Sequence, residues 1–91
     1  MGITYDPAKN DRTIRERGHS FERAADFDFE TALFADYFRN GEMRRIAVGY
    51  LDNRLHLLCY IPQPQGIRVI SFRKTNKREA TLYDKPQTID Q

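Results

Sequence analysis

A single cysteine, Cys59, is the only thiol in the chain. That excludes an internal disulfide framework and a thiolate-built metal site, and it makes the reducing cytoplasm the expected compartment. Long apolar runs are missing as well. None reaches the roughly 18–20 residues a membrane-spanning helix needs, and the opening "MGITYDPAKNDR" turns charged too early for a signal peptide. Gly2 follows Met1, but no Ser or Thr stands where a myristoylation signal requires one. No membrane association is expected. Familiar catalytic signatures are also lacking: there is no GxxxxGK[ST] phosphate loop, no HExxH and no GxSxG. The acids are dispersed rather than clustered as a two-metal site requires. No metal and no cofactor are expected, and Cys59 reads as a small core residue.

What is present suits one compact domain. The chain has 91 residues, 40% hydrophobic and 12% aromatic, with a net charge of +2, a globular rather than a disordered balance. Residues 1–40 hold six Lys/Arg and eight Asp/Glu, and residues 41–91 hold nine and five. Such asymmetry predicts one acidic region and one basic region. The basic one is an electrostatic footprint for polyanions, or else an ordinary solvated surface.

Punctuation along the chain predicts an α+β fold: a small antiparallel sheet with two N-terminal helices and a C-terminal helix. After a short strand "ITY", Asp6 caps a helix with Pro7 in its first turn, and Gly18 ends it. Ser20 caps a second short helix, "FERAADF". Turn signals at "NG" (40–41) and "DN" (52–53), with a longer loop at "PQPQG" (62–66), then separate "TALFADYF", "EMRRIAVGYL", "RLHLLCYI" and "IRVISFR". Asn76 caps the last helix and Glu79 completes a capping box, which leads to a domain over 1–84 and a flexible polar tail over 85–91.

Alternation along "RLHLLCYI" gives one face to Leu55, Leu57, Cys59 and Ile61, expected to be core, and the other to Arg54, His56, Leu58 and Tyr60, expected to be basic and aromatic. The last strand runs into a cationic stretch. Five positive side chains, Arg68, Arg73, Lys74, Lys77 and Arg78, fall within eleven residues that contain no acid. Strict alternation puts Arg68 and Arg73 on opposite faces, so both reach one groove only if the strand bulges or Arg73 lies at its end. Guanidinium groups bind phosphate in a bidentate manner and aromatic rings stack on unpaired bases, which makes RNA the expected ligand. The alternative is that Arg44, Arg54 and Arg68 merely cover the sheet with their stems.

The order of these residues resembles the BrnT toxins: "YDPAK", "RGHSFERA", "GEMR", "NRLHLL", "IRVISFRKTNKRE" and a closing Tyr83, over roughly residues 3–84. The resemblance implies a RelE-like ribonuclease toxin of a type II toxin–antitoxin system. It further implies metal-free endonuclease activity on RNA that slows growth, and neutralisation by a BrnA-type antitoxin whose ribbon-helix-helix part binds operator DNA. The family's recurring polar positions fall on Lys9, Glu42, Arg44, Arg54, Arg68, Ser71, Arg73, Arg78 and Tyr83. Arg17 stands where many members carry a histidine, and the adjacent His19 is not at the matching position.

In this reading Arg44, Arg68 and Arg73 clamp the phosphate. Lys9, Glu42 and Tyr83 are candidates for proton transfer, and Arg54, His56, Lys74, Lys77 and Arg78 line the RNA. Glu42 is either a base or a salt-bridge partner of Arg44 or Arg45, Tyr83 either an acid or a packing residue, and His56 either a proton carrier or structural. A non-catalytic RNA binder, or a module that only docks the antitoxin, remains a rival.

Overall fold

In a computed structural model of the protein, residues 1–89 are described in backbone and residues 1–83 in side chains. The first helix, α1 (Pro7–Arg17), forms where the sequence punctuates it. Asp6 accepts the Ala8 N–H at 3.0 Å, Pro7 stands in the first turn, and Gly18 takes a left-handed φ of 80° while its N–H donates to the Ile14 carbonyl. Ser20 likewise caps the next segment by accepting the Glu22 N–H. That segment, Phe21–Asp26, is a 3-10 helix and not the second α-helix expected. The buried Asn10 ties the two together, its carbonyl oxygen accepting from Phe21 N–H at 2.7 Å and from the Ser20 hydroxyl at 3.2 Å.

Five strands make one sheet: β1 (Gly2–Thr4), β2 (Leu33–Arg39), β3 (Glu42–Leu51), β4 (Arg54–Gln63) and β5 (Gly66–Lys74), in the order β1-β5-β4-β3-β2. The β2–β3 and β3–β4 hairpins turn on Asn40-Gly41 and Asp52-Asn53, all four residues at positive φ, as tight two-residue turns demand. Two corrections apply to the sheet. It is mixed rather than antiparallel, because β1 pairs parallel to β5. And "PQPQG" is no long loop: Gln63 pairs with Gly66, leaving only Pro64 and Gln65 in the turn.

A larger correction concerns which face is core. The side chains under the 3-10 helix are Ala47, Leu58, Tyr60, Val69 and Phe72, packed with Phe21, Ala24 and Phe27. His56 is also buried on this side. The face carrying His56, Leu58 and Tyr60 is therefore the main core, and the Leu55, Leu57, Cys59 and Ile61 face looks the other way. Composition misleads here because Tyr60 and His56 are polar only at their edges and bury as readily as the aliphatics opposite.

The other face is covered over part of its width by α2 (Lys77–Ile89). Asn76 and Glu79 form the expected capping box, with Glu79 N–H donating to the Asn76 side chain at 2.8 Å and Asn76 N–H to the Glu79 carboxylate at 3.0 Å. The helix backbone continues past Asp84 to Ile89. The flexible tail expected at 85–91 lies, in all its side chains and in its last two positions, outside the described residues.

Candidate functional site

The bulge that the cationic strand requires is present. Cys59 pairs with Ser71 and Tyr60 with Val69, so Ile70 is the extra residue on β5. Its effect is to reset the alternation: Phe72, Val69 and Ile67 face the core, while Arg68, Ser71 and Arg73 share the opposite face. Arg44 and Glu42 on β3 join them there. The β3–β4 register, continued one step past Arg45–Tyr60, sets Arg44 beside Ile61, and Ile61 pairs with Arg68. Arg44 and Arg68 thus flank Ile61 from two strands, with backbones about 10 Å apart at ~4.8 Å per strand spacing. Their side chains can converge on one phosphate.

Arg44 is held for such a role. Its side chain is 21% exposed and its Nη2 lies 3.5 Å from the Glu42 carboxylate. Its Nε is buried with no hydrogen-bond partner among the described residues. A buried guanidinium N–H without an acceptor costs about 1–3 kcal/mol, and a phosphate oxygen would remove that cost only if the side chain turned its Nε outward. Tyr37, unmarked in the sequence reading, pairs with Arg44 across β2 and β3. Its hydroxyl contacts Cys59 Sγ at 3.4 Å, a contact that, with burial, keeps its pKa above the usual tyrosine value. Alternation combined with the Asn40-Gly41 turn register would have placed Tyr37 opposite Arg44.

Two other expected site residues are occupied elsewhere. Arg73 shares the face of Arg68, but its guanidinium grips Glu79 with Nη1–Oε1 at 2.9 Å and Nη2–Oε2 at 2.7 Å. Tyr83 is buried, and its hydroxyl donates to the Thr31 carbonyl at 3.0 Å while its ring meets Tyr50 edge-on. Both fasten α2 to the sheet. Lys77 and Arg78 are exposed in the first turn of that helix.

The remaining candidates gather on the opposite side. Arg54, His56 and Lys74 line a pocket of about 320 Å³ with Arg17, His19 and Arg23. His19, set aside in the sequence reading, stands edge-on to His56 with ring centroids 5.7 Å apart. Burial, and then the positive charges of His19, Lys74 and Arg54, hold the His56 pKa below the ordinary histidine value, against a raising effect of its bond to the Arg54 carbonyl. Lys9 belongs to neither group. It lines a shallow cleft between α1 and β5 with Arg12, Thr13, Glu16, Arg17, Ile70 and Ser71. The expected site therefore divides into an arginine pair on the open sheet face, a fastening around Arg73 and Tyr83, and a histidine-bearing pocket behind.

No helix among the described residues is long and apolar enough to cross a membrane. No curated protein and no solved structure matches the chain. A family model described as the ribonuclease toxin BrnT of type II toxin–antitoxin systems matches residues 5–79, which takes in α1, all of β2 to β5 and the start of α2. With most of its length inside that match, the chain belongs to the BrnT family of ribonuclease toxins.

Proposed function

We propose that this protein is a metal-independent endoribonuclease toxin that cuts RNA in the cytoplasm and so inhibits translation and growth. A BrnA-type antitoxin neutralises it and carries the pair to operator DNA through its ribbon-helix-helix part. The observation that carries the reading is that Arg44 and Arg68 flank Ile61 on one face of the sheet, the part of it left open among the described residues. This is the surface a RelE-like toxin would turn toward RNA.

In the proposed reaction the ribose 2′-OH attacks the adjacent phosphorus, the P–O5′ bond breaks, and a 2′,3′-cyclic phosphate forms. Arg44 and Arg68 hold the phosphate and neutralise the charge that grows on its non-bridging oxygens. Glu42, beside Arg44, takes the 2′-OH proton. The departing 5′ oxygen takes its proton from water.

One observation favours the rival reading of a non-catalytic RNA-binding or antitoxin-docking module: Arg73 and Tyr83 are both engaged in holding α2. The test is to incubate the purified protein with total RNA in EDTA, with and without ribosomes and antitoxin. Cleavage that the antitoxin blocks supports the toxin reading. RNA bound but intact in every sample supports the rival.

A further inference from the structure

The histidine-bearing pocket lies on the core side of the sheet, while the Arg44–Arg68 pair lies on the other. Along β4 the two are seven residues apart, from Arg54 to Ile61, which is roughly 23 Å at ~3.3 Å per residue. One phosphate cannot touch both.

The groups facing the pocket come from five parts of the fold. Arg17 ends α1; His19 and Arg23 come from the segment that follows; Asp52 sits in the β3–β4 turn; Arg54 and His56 are on β4; and Lys74 ends β5. Asp52 is the one acid lining it, and both its oxygens are taken by Arg23 at 2.8 and 2.9 Å. Arg23 also pairs with Asp26. Arg17, Arg54 and Lys74 thus stand as three cations with no carboxylate partner among the described residues.

Hydrogen bonding fixes both histidine tautomers. His19 Nε2 lies 2.8 Å from the Phe72 carbonyl oxygen and His56 Nδ1 lies 2.8 Å from the Arg54 carbonyl oxygen. A carbonyl oxygen only accepts, so these nitrogens carry the protons. His19 Nδ1 and His56 Nε2 are left with free lone pairs, and His56 takes up a proton at Nε2. Protonating His56 would add a positive charge beside three that are already uncompensated. An anion in the pocket removes that conflict.

We propose that this pocket is a second phosphate site, which binds a phosphate group of RNA between Arg17, Arg54 and Lys74 and takes up a proton at His56 as it does so. The cavity, about 320 Å³, has room for a phosphate and the sugar that bears it. Linkage sets the sign. A bound anion raises the His56 pKa, so the anion binds more tightly as pH falls through it. Arg17 brings permanent charge to the pocket rim.

The test follows the imidazole resonances of labelled protein while a diribonucleoside phosphodiester is added at fixed low salt, at about pH 5.5 and about pH 7.5. A diester keeps its charge over this range, unlike a monoester with its second pKa near ~6. The expected result is movement of both histidine resonances, a raised His56 pKa, and affinity several-fold tighter at the lower pH. Lys74→Gln and Arg54→Gln, both at exposed positions, should each weaken binding several-fold, and His56→Gln should abolish the pH dependence. Parallel additions of inorganic phosphate and of a short single-stranded RNA separate the sources. Tighter binding of the RNA assigns the pocket to a strand, and equal binding assigns it to free phosphate. Histidine resonances that respond to none of the three, or affinity that is the same at both pH values, would overturn the proposal.

Discussion

Arg73 and Glu79 meet in a bidentate ion pair across the junction of β5 and α2, and the same carboxylate accepts the Asn76 N–H at 3.0 Å. One guanidinium thus orders a capping box, and the capping box starts the helix that covers part of the sheet. Arg73 fastens the helix in this arrangement, and we propose that it is not a phosphate ligand. Glu79→Ala should lower stability by about 1–3 kcal/mol, combining a lost cap with a part-buried charged hydrogen bond. Thermal melts of Glu79→Ala and Arg73→Ala should fall together by several degrees. An Arg73→Ala protein that melts as the parent does but no longer holds RNA would return Arg73 to the phosphate.

The same pair carries a pH dependence. Arg73 holds the Glu79 carboxyl below its usual range, chiefly by direct hydrogen bonding. A carboxyl with a depressed folded pKa contributes stability that is complete above its unfolded value, about 4.3, and is lost as pH falls through the folded value. Acid unfolding of Glu79→Gln should accordingly show a weaker dependence on pH below about 4.3 than the parent. Identical acid profiles would remove the pair from the account.

Tyr83 donates its hydroxyl to the Thr31 carbonyl, which explains its burial without chemistry. Tyr83→Phe should cost about 1 kcal/mol, the usual net value of one such bond, and leave RNA cleavage per folded molecule unchanged. A hundredfold loss of turnover (on the order of a proton-transfer contribution) at unchanged melting temperature would make Tyr83 catalytic instead.

Gly49 lies where the sheet meets the core aromatics. A β-carbon there would stand 2.9 Å from Phe27 Cζ and 3.1 Å from the Asp28 carbonyl oxygen. Gly49→Ala should destabilise the fold by about 1–3 kcal/mol through overpacking, read as a shift in the denaturant midpoint. An unshifted midpoint would mean that Phe27 is free to move.

Glu42→Gln separates base from salt bridge. If Glu42 takes the 2′-OH proton, turnover should fall by about 10²–10⁴ while RNA affinity holds or rises, since a negative charge beside the clamp is lost. Weakened RNA binding with turnover intact would assign Glu42 to positioning Arg44.

Much of the scaffold is legible in the sequence because local chemistry sets it: the caps at Asp6, Ser20 and Asn76, the left-handed Gly18, and the two hairpin turns act within a few residues. What was not legible depends on partners far along the chain. The parallel pairing of β1 with β5 joins residues 2–4 to 66–68. The choice of core face depends on which side the 3-10 helix covers, and alternation alone treats both sides alike. Alternation did expose the need for a bulge if Arg68 and Arg73 were to share a face, though not its place at Ile70. His19 could not be joined to a site from the sequence because its partner is 37 positions away on β4.

The claim at the centre is that Arg44 and Arg68 grip the scissile phosphate and Arg73 does not. The most direct measurement is the rate of RNA cleavage in EDTA for Arg44→Ala, Arg68→Ala and Arg73→Ala, each corrected for the fraction folded. The account predicts losses of about 10²–10³ for the first two, the scale of a lost transition-state donor, and little change for the third. Full activity in Arg44→Ala and Arg68→Ala, with loss confined to Arg73→Ala, would contradict it.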